Sequence, residues 1–122
     1  MMDVRREIAG HFGLLETRGA TSVFEVFLPE TLSYFEGHFP ETPILPAVGL
    51  IDLTQFFISL ILNEPDLILA SVQSFRVRQP AFAGERFRVT LDIPESSESA
   101  SVLWTKADGQ NLAELIVRVS AR

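Results

Sequence analysis

Twenty consecutive residues, Pro43 to Leu62, carry a single charge, Asp52, and this segment constrains the fold more than any other. Its length approaches that of a membrane span. A carboxylate near the middle of a span costs roughly 2.5–3.5 kcal/mol on insertion, and Gln55, Ser59 and two prolines add to the difficulty. The segment is therefore expected to be a buried central helix, not a membrane span. Pro46 suits a first helical turn, where its missing N–H has no partner to lose. The expected helix, Ala47–Leu62, is apolar on almost every side and needs other structure around it. Asp52, Gln55 and Ser59 fall at i, i+3 and i+7, on one face. Asn63-Glu64-Pro65-Asp66 ends the helix.

Before the helix, residues 3–11 suit a short helical turn. Phe12–Thr17 and Thr21–Leu28 are β-rich runs joined by Arg18-Gly19-Ala20, a hairpin. In the second run Val23, Glu25 and Phe27 alternate with Phe24, Val26 and Leu28, which predicts burial on both faces or nearly so. A Pro-containing loop, Pro29–Leu45, leads to the helix. Four further strands are expected at Leu69–Gln79, Glu85–Ile93, Ser101–Lys106 and Leu112–Val119, with Ala83-Gly84-Glu85 and Ala107-Asp108-Gly109-Gln110 as turns. Two strands, a long apolar helix and four strands predict an α+β fold, an antiparallel sheet wrapped around the helix. The 122 residues, 47% hydrophobic and 21% charged, fit one globular domain spanning residues 1–122.

A formal charge of −6 argues against a nucleic-acid binder that relies on a basic surface. There is no cysteine, so disulfides and thiolate metal sites are excluded. The two histidines and scattered acids make no zinc pattern, and no metal or organic cofactor is expected. No signal-peptide core follows Met1, and a cytoplasmic location is the default. His11 has no partner spacing and is expected at the surface, while Trp104, Phe56 and Phe57 are expected in the core or at an interface.

Two residue types able to move protons stand close to the helix start. His38 lies in a proline-stiffened loop, and Asp52 follows it by fourteen residues inside the apolar segment. An imidazole is a base poised near neutrality, and a carboxyl becomes a proton donor when burial keeps it protonated. A helix N-terminus offers fixed N–H donors to developing negative charge.

The segment His38-Phe39-Pro40-Glu41-Thr42-Pro43-Ile44-Leu45-Pro46-Ala47, with Asp52 beyond it, resembles the hotdog-fold 3-hydroxyacyl-carrier-protein dehydratases of fatty acid synthesis. His38, Phe39, Pro40, Pro43 and Pro46 stand in register with that family's motif, Asp52 takes the acid position, and Gln55 sits one residue short of the usual glutamine. Tyr34-Phe35-Glu36-Gly37-His38-Phe39-Pro40 with Ile44-Leu45-Pro46 is most similar to the branch found in aryl-polyene gene clusters. Phe75–Glu85 is similar to the family's following strand and turn. Two family glycines are replaced, by Glu41 and Ala47. The resemblance implies a hotdog fold, dehydration of a 3-hydroxyacyl thioester to the enoyl thioester, and His38 and Asp52 as catalytic residues. It further implies that Phe39, Ala47, Val48 and Gln55 contact substrate, Ala47 through its backbone N–H. It also implies a dimer whose two sites combine His38 and Asp52 from different subunits, with no cofactor.

Arg76 and Arg78 share one strand face, as do Arg86 and Arg88. Four of ten basic residues fall in thirteen positions of an acidic chain, and acyl carrier proteins are acidic, so these arginines are candidates for carrier docking. The expected partners are an acyl carrier protein or coenzyme A thioester and a second hotdog chain, the same or a related one. Two other functions remain open: a hotdog thioesterase, and a non-catalytic hotdog subunit that binds carrier or scaffolds an active partner. The hydratase branch with an Asp four residues before the His-side pair is disfavoured, because Ser33 stands at that offset.

Overall fold

The computed structural model describes residues 4–36, 43–95 and 97–119. A short helix α1 (Val4–Ile8) precedes a hairpin of β1 (Phe12–Arg18) and β2 (Thr21–Phe27). A 3-10 turn (Ser33–Phe35) and helix α2 (Ala47–Leu62) follow, then β3 (Leu69–Val77), β4 (Arg86–Asp92), β5 (Ser99–Lys106) and β6 (Asn111–Val119). All six strands join one antiparallel sheet in the order β1-β2-β4-β5-β6-β3. This is the expected α+β hotdog arrangement, with α2 sharing its core with one face of the sheet.

The alternation of the strands decides which face meets the helix. Phe87, Val89 and Leu91 of β4 are buried while Arg86 and Arg88 are exposed. In β2 the buried residues are Ser22, Phe24 and Val26, with the opposite face half-buried. Leu50, Leu53, Phe57 and Ile58 of α2 pack into the same core. Phe57 is the centre of an aromatic cluster, its ring 4.8 Å from Phe24, 5.6 Å from Phe12 and 6.3 Å from Trp104. Burying a side chain of that size contributes about 1.5–3 kcal/mol. The Trp104 indole N–H donates to Thr54 Oγ1 at 3.0 Å, which removes the cost of burying that polar group. Trp104, Phe56 and Phe57 are thus core residues. His11 differs from the surface position expected of it: it is half-buried, its ring 5.9 Å from that of Phe27.

The helix begins and ends where its punctuation predicts. Pro46 is its N-cap, and Asn63 ends it in the left-handed conformation (φ 55°). The Asn63 N–H bonds Leu60 O at 3.3 Å and the Glu64 N–H bonds Ser59 O at 2.9 Å, satisfying carbonyls the last turn would leave free. No helix among the described residues is long and apolar enough to cross a membrane.

Strand order departs from chain order at one place. β3 does not pair with β4, its successor, but crosses to the far edge beside β6. It is exposed along most of its length on both faces, and its outer edge has no neighbouring strand among the described residues.

Candidate active site

Asp52 lies in the second turn of α2, half-buried, and accepts a short hydrogen bond on Oδ2 from the hydroxyl of Tyr34. Tyr34 is 5% exposed and comes from the 3-10 turn that precedes residues 37–42. That turn is itself anchored. The Ser33 backbone N–H donates to Glu7 Oε1 at 2.8 Å, and the Ser33 hydroxyl donates to Glu7 Oε2 at 2.5 Å. Burial pushes the Tyr34 phenol well above its usual range. Its bond to Asp52 and the nearby charges of Asp52 and Glu7 push it in the same direction. The phenol therefore stays protonated, and remains the donor, throughout the physiological range.

Just beyond residues 37–42 the chain is held on the other side. Leu45 N–H bonds Ala81 O at 2.8 Å, Ala83 N–H bonds Pro43 O at 3.1 Å, and Ile44 bridges Phe82. These bonds fix the approach to α2. An open cleft of about 470 Å3 lies there, lined by Ile44, Pro46, Ala47, Leu50, Val77 and Pro80. Ala47 and Val48 are exposed at the helix start, where the first N–H groups have no partner within the helix. Asp52 lies five residues further on, about 7.5 Å along the axis.

The polar stripe expected along α2 divides into separate roles. Gln55 is half-buried, and its side-chain oxygen accepts the Leu69 N–H at 2.8 Å, tying the helix to the first residue of β3. Ser59 is buried and donates to Phe56 O at 2.6 Å. Only Asp52 of the three meets a side chain from outside the helix that is itself titratable. His38, Phe39 and Glu41 lie outside the described residues.

The four candidate docking arginines are exposed. The strand register puts them on the outer face of the sheet, Arg76 opposite Glu114 and Arg88 opposite Glu25 and Thr105. They do not form one cluster: β5 and β6 separate the two pairs, about 14 Å at the usual strand spacing. Arg78 bonds Glu114 at 2.9 Å, and Arg86 meets Glu25 at 3.7 Å while stacking over the Phe27 ring. Arg76 and Arg88 make no ion pair among the described residues. Nor do three or more His, Cys, Asp or Glu side chains converge there as metal ligands do.

Tyr34 and its brace, Glu7 and Ser33, were not singled out by sequence reasoning. A signal for Tyr34 existed: it is the chain's one tyrosine, set against a phenylalanine just before the histidine motif. A buried phenol needs a partner, and the apolar helix offers one carboxylate. Nothing comparable marked Glu7.

The profile of the ApeI-like family, described as ApeI dehydratase, matches residues 15–115. A 3-hydroxyacyl-[acyl-carrier-protein] dehydratase FabZ of Koribacter versatilis is 31% identical over 81 residues, covering 61% of this chain and 52% of the relative. The chain thus spans about half the length of that curated relative. Among solved structures, the dehydratase heterocomplex ApeI:P from Xenorhabdus doucetiae is similar with a TM-score of 0.77 at 19% identity, over 89% of this chain and 95% of that one. Thioesterase superfamily member 2 from Mus musculus is similar with a TM-score of 0.70 at 16% identity, over 93% and 85%. At those identities the two structures speak for the fold alone. The profile, matched across most of the sequence and consistent with this fold, means that the chain belongs to the ApeI-like dehydratase family.

Proposed function

We propose that this protein, acting as one hotdog domain over residues 1–122, is a cytoplasmic 3-hydroxyacyl-carrier-protein dehydratase of fatty acid or aryl-polyene synthesis. The observation that carries the reading is Asp52, a carboxylate in an otherwise apolar helix, half-buried and in hydrogen-bonded contact with a buried phenol. Family membership and the similarity to FabZ support the same chemistry. His38 takes the α-proton of the thioester, and the electron pair left behind forms the Cα–Cβ double bond. The β-hydroxyl leaves as water with a proton from Asp52. The N–H of Ala47, beside Val48, faces the thioester oxygen as negative charge develops there. Phe39 and Gln55 complete the substrate contacts, Gln55 from a side chain whose oxygen also accepts the Leu69 N–H at the start of β3. No cofactor takes part.

The test is mass spectrometry of pure protein incubated with 3-hydroxyacyl-carrier-protein substrates. Loss of water is expected from the wild type, with His38→Ala and Asp52→Ala each slower by about 10²–10⁴-fold. Near-full activity in either folded variant removes that residue from the site. Release of free acid would instead favour the hotdog thioesterase. Carrier binding with no turnover would favour the non-catalytic subunit.

The active unit in this reading is a dimer, a homodimer or a pair with a related hotdog chain; the similar protein from Xenorhabdus doucetiae belongs to a dehydratase heterocomplex, ApeI:P. Two features support it. The outer edge of β3 is unpaired among the described residues, and Ile68, Val72 and Val77 along it are 69%, 37% and 47% exposed. On α2, Val48, Ile51, Asp52 and Gln55 are incompletely covered and share a face. A second chain paired along β3 would cover both and bring its own His38 loop toward Asp52. Light scattering is expected to give twice the 13.6 kDa of one chain, and Val72→Lys, a charge on the edge, should give monomer with lost turnover. A wild-type monomer that turns over removes the shared site.

Arg76, Arg78, Arg86 and Arg88 dock the acidic carrier in this reading, with Arg76 and Arg88 free to contribute most. Arg76→Glu with Arg88→Glu should raise KM for carrier-bound substrate and leave KM for an N-acetylcysteamine thioester unchanged. Equal KM values for wild type and variant on the carrier substrate would remove the docking assignment.

A further inference from the structure

The Tyr34–Asp52 contact is more than a buried phenol finding an acceptor, because three independent features converge to make it. The 3-10 turn that carries Tyr34 is pinned to α1 through both the N–H and the hydroxyl of Ser33, each on one oxygen of Glu7. The ring has room against the helix because residue 49 is glycine. A Cβ there would stand 3.3 Å from Tyr34 Cγ, and 2.6 Å from Cδ1 of Leu45, which is itself buried. Gly49 and Asp52 lie three residues apart on one helix face, so a ring seated over the first delivers its hydroxyl to the second. A mid-helix glycine costs roughly 1 kcal/mol relative to alanine, a local penalty offset here by the space it opens.

We infer that Tyr34 is a positioning residue for the catalytic carboxyl: it holds Oδ2 of Asp52 and thereby fixes the direction in which Oδ1 faces the substrate, with Glu7 and Ser33 as its brace and Gly49 as its seat. The inference rests on the assignment of Asp52 as the proton donor. A half-buried aspartate without such a partner samples several χ2 orientations, because that torsion is broad; one fixed bond selects among them. Positioning of this kind acts on the barrier, since reacting groups slightly out of place lose a large part of the rate. The titratable groups that face the phenol are Asp52 from α2 and Glu7 from α1. Both are acids, so neither draws the proton off the phenol oxygen by stabilising phenolate.

A purely structural role for Tyr34 would lower the rate by the same factor whether residue 52 is Asp or Asn, whereas a positioning role acts only through the carboxyl of Asp52.

The experiment is a double-mutant cycle on the full-length protein, with Tyr34→Phe, Asp52→Asn and the double variant. Each is assayed for kcat and KM with a 3-hydroxyacyl-N-acetylcysteamine thioester, and folding is checked by circular dichroism. Tyr34→Phe is expected to lower kcat roughly 10-fold to 10²-fold and to leave KM nearly unchanged. In the Asp52→Asn background it should have no further effect on the residual rate. Glu7→Gln, which weakens the brace while leaving the phenol in place, should give a smaller fall in kcat with the same independence from KM. If Asp52→Asn lowers turnover strongly while Tyr34→Phe leaves kcat unchanged, the positioning role is overturned and the assignment of Asp52 stands. If the effects of Tyr34→Phe and Asp52→Asn on the activation free energy are additive, Tyr34 acts independently of Asp52 and the inference is likewise overturned. If Asp52→Asn is fully active, the assignment of the acid fails and takes this inference with it.

Discussion

A helix that is apolar around nearly its whole circumference must be enclosed, and most of this structure follows from that constraint. The inner face of the sheet covers α2 through Phe24, Phe87, Val89 and Trp104, with Phe57 and Leu53 fully buried against them. Thr54, a polar residue with no exposure, is tolerated because Trp104 donates to it. The side of α2 toward β3 is where enclosure by its own chain stops. Val48 is 54% exposed there, and Asp52 and Gln55 are half-covered. The place where the helix is left open is also the place where it carries its carboxylate. Packing and chemistry thus meet along one line, from the start of α2 to the unpaired edge of β3.

That carboxylate is not left to water or to chance. A chain of contacts runs from α1 through Glu7 to Ser33, from the neighbouring Tyr34 to Asp52, and ends on the helix that the sheet holds. Each link joins segments distant in sequence, so the site's geometry depends on the whole fold and not on the motif alone. Gln55 adds a second tie from α2 to Leu69, which sets the helix against the strand that the proposed partner would extend. Hydrogen bonds thus tie the acid, its phenol and the open edge to one helix.

Much of this was legible in the sequence. The helix Ala47–Leu62 has the bounds expected from Pro46 and Asn63, because both termini carry residues with a strong local preference. The β1–β2 hairpin and the strands after the helix were visible as alternation between turn residues, with β5 beginning two residues earlier than expected. The order of the strands was not. Alternation gives the buried face of a strand but not its neighbour, and β3 sits at the sheet's far edge instead of beside β4. For the same reason the two arginine pairs, close in sequence, are separated by two strands. Asp52 stood out because an apolar helix has no need of an acid. Its contact with Tyr34 spans eighteen residues across a loop, a distance over which no periodicity speaks.

A dehydratase and a thioesterase differ in which bond is made and broken at the thioester: removal of water across Cα and Cβ, or hydrolysis at the carbonyl. The most direct test is to run the reaction backwards in H2(18)O with a 2-enoyl thioester and locate the isotope by mass spectrometry. The account predicts 18O in the 3-hydroxyl of an intact thioester, at a rate that falls with Asp52→Ala. Isotope in the carboxylate of a released acid, or none in any product of the folded protein, would contradict it.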